Sequence, residues 1–169
     1  MQKLGHSKLI SLPEGWLEYQ AQTNLDLPGE AVVSEFYLES RPDVKFHYFN
    51  SGKLIAPMVA GEFLGVLAAG PHSLSAEEFA NVELVVRDAA EPEFFEMLTH
   101  RAEIISGKVV LVVEGIWKFS NLHELGVFTH SDEAGRAIDE FHCSAPREIF
   151  ETYRPQFEQI LYSIDWSCS

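Results

Sequence analysis

Positive charge is scarce in this chain: 12 lysines and arginines stand against 26 acidic residues, giving a formal net charge of −14 over 169 residues. Phosphate backbones and anionic lipid surfaces would be repelled over most of such a surface, so nucleic acid is excluded as a partner class. Long apolar runs are missing as well. No stretch approaches the 18 or so apolar residues that a spanning helix requires, and no membrane span is expected. Residues 1–15 lack a continuous apolar segment ahead of a small-residue cleavage site, which points to a cytoplasmic protein. The two cysteines, Cys143 and Cys168, have neither metal-ligand spacing nor a disulfide framework around them, and both are expected to be free thiols. Low-complexity and linker segments are absent too, and 46% hydrophobic residues suffice for a core, so one domain over 1–169 is expected.

What is present reads as a mixture of strands and helices. Residues 7–12 and 16–22 form two short strands around Pro13-Glu14-Gly15, with Trp16 and Tyr19 as anchors. A loop containing Leu27-Pro28-Gly29 leads to a second pair, 31–39 and 44–49, joined across Ser40-Arg41-Pro42-Asp43 and ended by Asn50-Ser51-Gly52. Alternation puts Val44, Phe46 and Tyr48 on one face, and Lys45, His47 and Phe49 on the other. Val59, Phe63, Val66 and Leu67 recur at helical spacing over 57–69, stopped by Gly70-Pro71. Ser75 and Glu78 make a capping box, with Leu74 and Phe79 placed as a hydrophobic staple, so a second helix begins there. Phe94, Phe95 and Leu98 suggest a third helical segment over 92–100, with Pro92 in its first turn.

From there the period returns to two. Strands are expected over 101–105 and 108–118, turning at Gly107, then over 124–130 and 135–143, giving up to eight strands in all. Val109 to Val113 are apolar without interruption, which predicts a strand covered on both faces. Residues 145–164 carry Phe150, Tyr153, Phe157, Ile160, Leu161 and Ile164 on one helical face, with Ser144 as N-cap and a kink or restart at Pro155.

Three segments resemble the Mog1/PsbP-like superfamily, especially its bacterial branch. They are Leu12-Pro13-Glu14-Gly15-Trp16, the run from Gly107 to Trp117, and Tyr153 with Phe157, Ile160, Leu161, Ser163, Ile164 and Trp166. The resemblance implies an α+β fold, an antiparallel sheet flanked by helices in an α/β/α sandwich. Better-known members of that superfamily are non-enzymatic accessory proteins: a nuclear-import factor that binds a small GTPase, photosystem II subunits, and chaperones of secreted effectors.

Chemistry-bearing residues give no catalytic, cofactor or metal motif. His142 shares a strand face with Glu140, whereas Asp139 points oppositely with Cys143, so His142 and Cys143 cannot pair with each other. If His130 pairs near Arg136, it lies roughly 20 Å from His142, too far for shared coordination. Glu114 interrupts the most apolar strand and must be paired; Lys118 and Arg101 are the expected partners. The reading is therefore a non-catalytic, protein-binding accessory module for a partner of basic character, with Trp117, Phe119, Glu77, Glu78, Glu93 and Glu96 as candidate contacts. Two alternatives accompany it: a chaperone or immunity protein for a secreted effector or toxin, and a ligand binder or enzyme with a loop-built site around Trp16, His47, Glu114 and Trp117.

Overall fold

Ser106 and Gly107 both take positive φ, 49° and 81°, which matches the twist of a two-residue hairpin and pairs Ile105 with Lys108. The run that follows is a deeply buried strand: Val110 and Leu111 are fully buried, Val112 and Val113 nearly so. The two sides of that strand feed different cores, Val110 and Val112 one, Leu111 and Val113 the other. Both faces are covered, as its unbroken apolar run requires.

The computed structural model describes residues 1–4, 8–19 and 31–166. In chain order the elements are β1 (Gln2–Leu4), β2 (Lys8–Ile10), β3 (Trp16–Glu18), β4 (Val32–Leu38), β5 (Arg41–Leu54), α1 (Pro57–Ala68), β6 (His72–Ser73) and α2 (Ala76–Val86). A 3-10 turn, Arg87–Ala90, leads to β7 (Phe95–Ile105), β8 (Lys108–Trp117), β9 (Leu122–His130), β10 (Ala137–Pro146) and α3 (Phe150–Tyr162). Eight of these strands make one antiparallel sheet in the order β3-β4-β5-β10-β9-β8-β7-β6, and β1 pairs with β2 separately. The fold is α+β, as expected.

On one face, α3 and the β1–β2 pair close over Phe36, Phe46, Phe141 and Val127. On the other, α1 and α2 cover Leu111, Val113 and Phe128. Around His47 and Phe49 on β5 and Glu35 on β4 that second face instead opens into a cleft.

Several expectations are corrected. Residues 92–100 are no helix: β7 starts at Phe95, and a register shift between Met97 and Thr99 breaks its alternation. Asn50-Ser51-Gly52 does not end β5; it is absorbed as an irregularity with Gly52 at φ 68°, and the strand continues to Leu54. Ser144 lies inside β10 and caps nothing, while α3 follows Ile149 without a side-chain cap and runs through Pro155 with no restart. His130 pairs with Ile138, two residues beyond Arg136, and so stands four ladder positions from His142 rather than six. The Ser75–Glu78 box is present in both directions, with Leu74 buried beside it. The 27–29 loop, the end of the 16–22 strand and Cys168 lie outside the described residues.

Candidate functional site

The open part of the second face is a cleft of about 450 Å³, floored by β5, β10 and β9 and walled by the α2 terminus. Sheet register assembles it. Glu35 pairs with His47 across β4 and β5, His47 with His142 across β5 and β10, and His142 with Gly126 across β9. The two imidazoles stack with centroids 4.6 Å apart and planes 18° from parallel.

Their environments drive them in opposite directions. Burial, then the positive charge of His142, lowers His47 to about 4. Burial also opposes a charge on His142, but Glu124 at 3.0 Å from Nδ1 and Glu140 at 3.3 Å from Nε2 overcome it and raise His142 to about 9. A protonated imidazole held between two carboxylates thus stacks on a neutral one. Burial disfavours ionised Glu124 too, yet His142 holds it below the usual carboxylate range, and a hydrogen bond with the Trp117 side chain assists.

Arg87 caps the cleft from the C-terminus of α2. Its guanidinium donates to Glu140 at 2.6 Å and lies 4.7 Å from the centroid of the Phe49 ring. Its backbone sits at φ 53°, ψ −120°, a region that L-residues with a Cβ rarely adopt.

A second charged cluster lies on the opposite, sealed face. Glu114 accepts from Arg154 at 2.5 Å and hydrogen-bonds His123 Nε2 at 2.7 Å, while Arg101 stays at 3.9 Å and Lys118 binds the Pro92 carbonyl instead. Of the expected partners, Arg101 forms a long ion pair with Glu114 and Lys118 does not, while the guanidinium in direct contact comes from α3, far away in sequence. Glu114, His123 and Glu151 bring ligand-type atoms within 4.8 Å of one another. The Arg154 guanidinium joins Glu114 and Glu151 and supplies the positive charge that these carboxylates require. Lys8 pairs with Asp139, which also accepts from Tyr48 and Asn50, so this inward carboxylate is equally committed. Cys143 is buried in the sealed core, and burial pushes its thiol well up, away from nucleophilic use.

The candidates read from sequence separate. Of the loop-built group, His47 and Trp117 line the cleft, but Trp16 bonds Gln156 on α3 and Glu114 lies across the sheet. Phe119 is 85% exposed and stands 6.0 Å from Phe94, itself 44% exposed. Glu93 and Glu96 are exposed near that pair, whereas Glu77 and Glu78 stand at the far end of α2, and Glu78 is occupied by Ser75 and His72. Arg87 and Glu124 were missed as contributors, and Glu140, though placed on one face with His142, was given no role. The polar alternation of Glu140 with His142, continued by Glu124 on the neighbouring inner strand, is the signal that could have found Glu124.

No protein-family model matches this chain, and no curated protein matches it. Among solved structures it is similar to the solution structure of cyanobacterial PsbP (CyanoP) from Synechocystis sp. PCC 6803, at a TM-score of 0.54 and 16% identity, over 94% of this chain and 92% of that one. At that identity the likeness speaks for architecture alone, and together with the eight-stranded antiparallel sheet between helical layers it gives the chain a Mog1/PsbP-like fold.

Proposed function

We propose that the protein is a non-catalytic accessory module of the cytoplasm that binds a basic protein partner. The observation that carries this reading is the Phe94–Phe119 pair, two large rings left in water at 44% and 85% exposure beside exposed Glu91, Glu93 and Glu96. Exposed aromatics that converge mark binding anchors more often than isolated apolar residues do. The carboxylates around them, with the net charge of −14, favour a partner of opposite sign.

The test is capture from source-cell lysate by the wild-type chain and by the Phe94→Ser/Phe119→Ser variant. A basic protein retained by the first, released by added salt and lost by the second at unchanged melting temperature is the expected result. Equal capture by both chains removes the aromatic anchor from the account.

A second reading, a small-ligand binder, is favoured by the cleft, where two histidines with opposed shifts converge on two buried glutamates. Turnover or saturable binding of a small molecule, abolished by His142→Gln, would establish it over the first.

A further inference from the structure

The Arg87 backbone sits where a glycine would rest without strain, fixed by its N–H donating to the Glu83 carbonyl, and its side chain makes two contacts in the cleft. Both are contacts that any organic cation would make: a carboxylate at 2.6 Å and an aromatic face at 4.7 Å. The guanidinium end is not locked in, because the Arg87 side chain remains 45% exposed while Glu140 is 5% exposed. Charge points the same way. Glu35, Asp88, Glu124 and Glu140 line the cleft against Arg87 and the protonated His142, and Lys45 answers Glu35 at the rim at 3.0 Å. Four negative groups meet three positive ones, and departure of Arg87 would leave an excess of two.

We propose that the cleft is a recognition site for an alkylguanidinium or alkylammonium group, carried by a basic side chain of a protein partner, and that Arg87 fills this site as an internal stand-in when the partner is absent. Opening the site requires only that the half-exposed guanidinium swing into water; the incoming cation then takes its place on Phe49 and Glu140. The cleft, at about 450 Å³, has room for a long side chain with its flanking peptide. This inference is independent of the Phe94–Phe119 anchor, which lies outside the cleft lining. Free arginine derivatives and polyamines present the same group, so the test separates the sources.

The full chain is titrated calorimetrically with acetyl-Gly-Arg-Gly-amide, with the same peptide carrying citrulline, and with agmatine. The expected result is binding of the arginine peptide and at least tenfold weaker binding of the neutral citrulline peptide. Arg87→Gly accommodates φ 53° freely and vacates the site, so it binds the arginine peptide at least threefold more tightly; Arg87→Gln does the same if the glycine variant unfolds. Phe49→Leu in the Arg87→Gly background reverses that gain. Phe94→Ser/Phe119→Ser leaves all of this unchanged, so failure of the anchor and failure of the cleft are distinguishable. Equal affinity for the citrulline peptide, or no gain from either Arg87 variant, overturns the proposal. Agmatine bound as tightly as the peptide overturns its protein-partner part.

Discussion

Replacing Arg154 by methionine removes the cation that Glu114 depends on while keeping the aliphatic packing of the side chain. Glu114 is 8% exposed, and it has two close donors, Arg154 at 2.5 Å and His123 at 2.7 Å. Breaking a fully buried pair from one side costs about 3–5 kcal/mol, because the surviving charge is left uncompensated. Here the loss is smaller. The Arg154 side chain is 25% exposed, and the His123 ring at 2.7 Å and the Arg101 guanidinium at 3.9 Å remain beside Glu114, which brings the expectation to about 2–3 kcal/mol. Urea unfolding at neutral pH reads that loss directly as a shifted midpoint at constant slope. The double variant Glu114→Gln/Arg154→Met should recover most of it, since both charges are then absent. The pH dependence has a definite sign. Although burial opposes ionisation, the hydrogen bonds from Arg154 and His123 hold the Glu114 carboxyl below its ordinary 4.5. Its contribution is therefore present above that unfolded value and disappears as pH falls through the lower folded one, so wild type and Glu114→Gln converge in acid. A loss under about 0.5 kcal/mol for Arg154→Met, the size of an exposed surface pair, would refute the reasoning.

Further substitutions test individual elements. A Cβ at Gly115 would stand 2.3 Å from the Glu96 carbonyl and 2.5 Å from the Phe95 ring, so Gly115→Ala should destabilise by about 2–3 kcal/mol or more by denaturant unfolding, with the β7–β8 amides exchanging faster. Ser75→Ala removes one half of the capping box and should lower stability by about 1 kcal/mol. Pro155 is exposed and interrupts the hydrogen-bond ladder of α3, so Pro155→Ala should raise the melting temperature, by about 1 kcal/mol of stability.

Where the sequence carried local signals, the architecture was legible. The uninterrupted apolar run of β8, the alternation of β5 and the apolar stripe of α3 each state their burial within a single element. The reading of 92–100 failed for a physical reason. A register shift at Met97–Thr99 displaces the alternation of β7, so that Phe94, Phe95 and Leu98 fall at spacings that imitate a helix turn. Nothing in the segment itself could reveal that; its pairing with β8 decides it. The cleft was hardly legible at all. His142 and Glu140 could be placed on one face, but Glu35, His47, Glu124 and Arg87 join them only through the β4-β5-β10-β9 order and the backward reach of the α2 terminus. Likewise, the partner of Glu114 came from α3, since no period or spacing links position 114 to position 154.

The second face of the sheet opens into a polar cleft whose stacked histidines differ in charge, His142 protonated and His47 neutral. Titration of the histidine ring protons by NMR reads it directly, with Glu35 and Lys45 from β4 and β5, Glu124 and Glu140 from β9 and β10, and Arg87 from α2 as the charged groups facing the pair. The account predicts that His142 titrates near 9 and His47 near 4. In stability terms, His142 contributes fully below about 6.5 and loses its contribution as pH rises through 9, whereas neutral His47 withdraws stability as pH falls from about 6.5 toward 4. Both rings titrating together near 6.5 would mean that they stand apart in water, and the cleft as described would not exist.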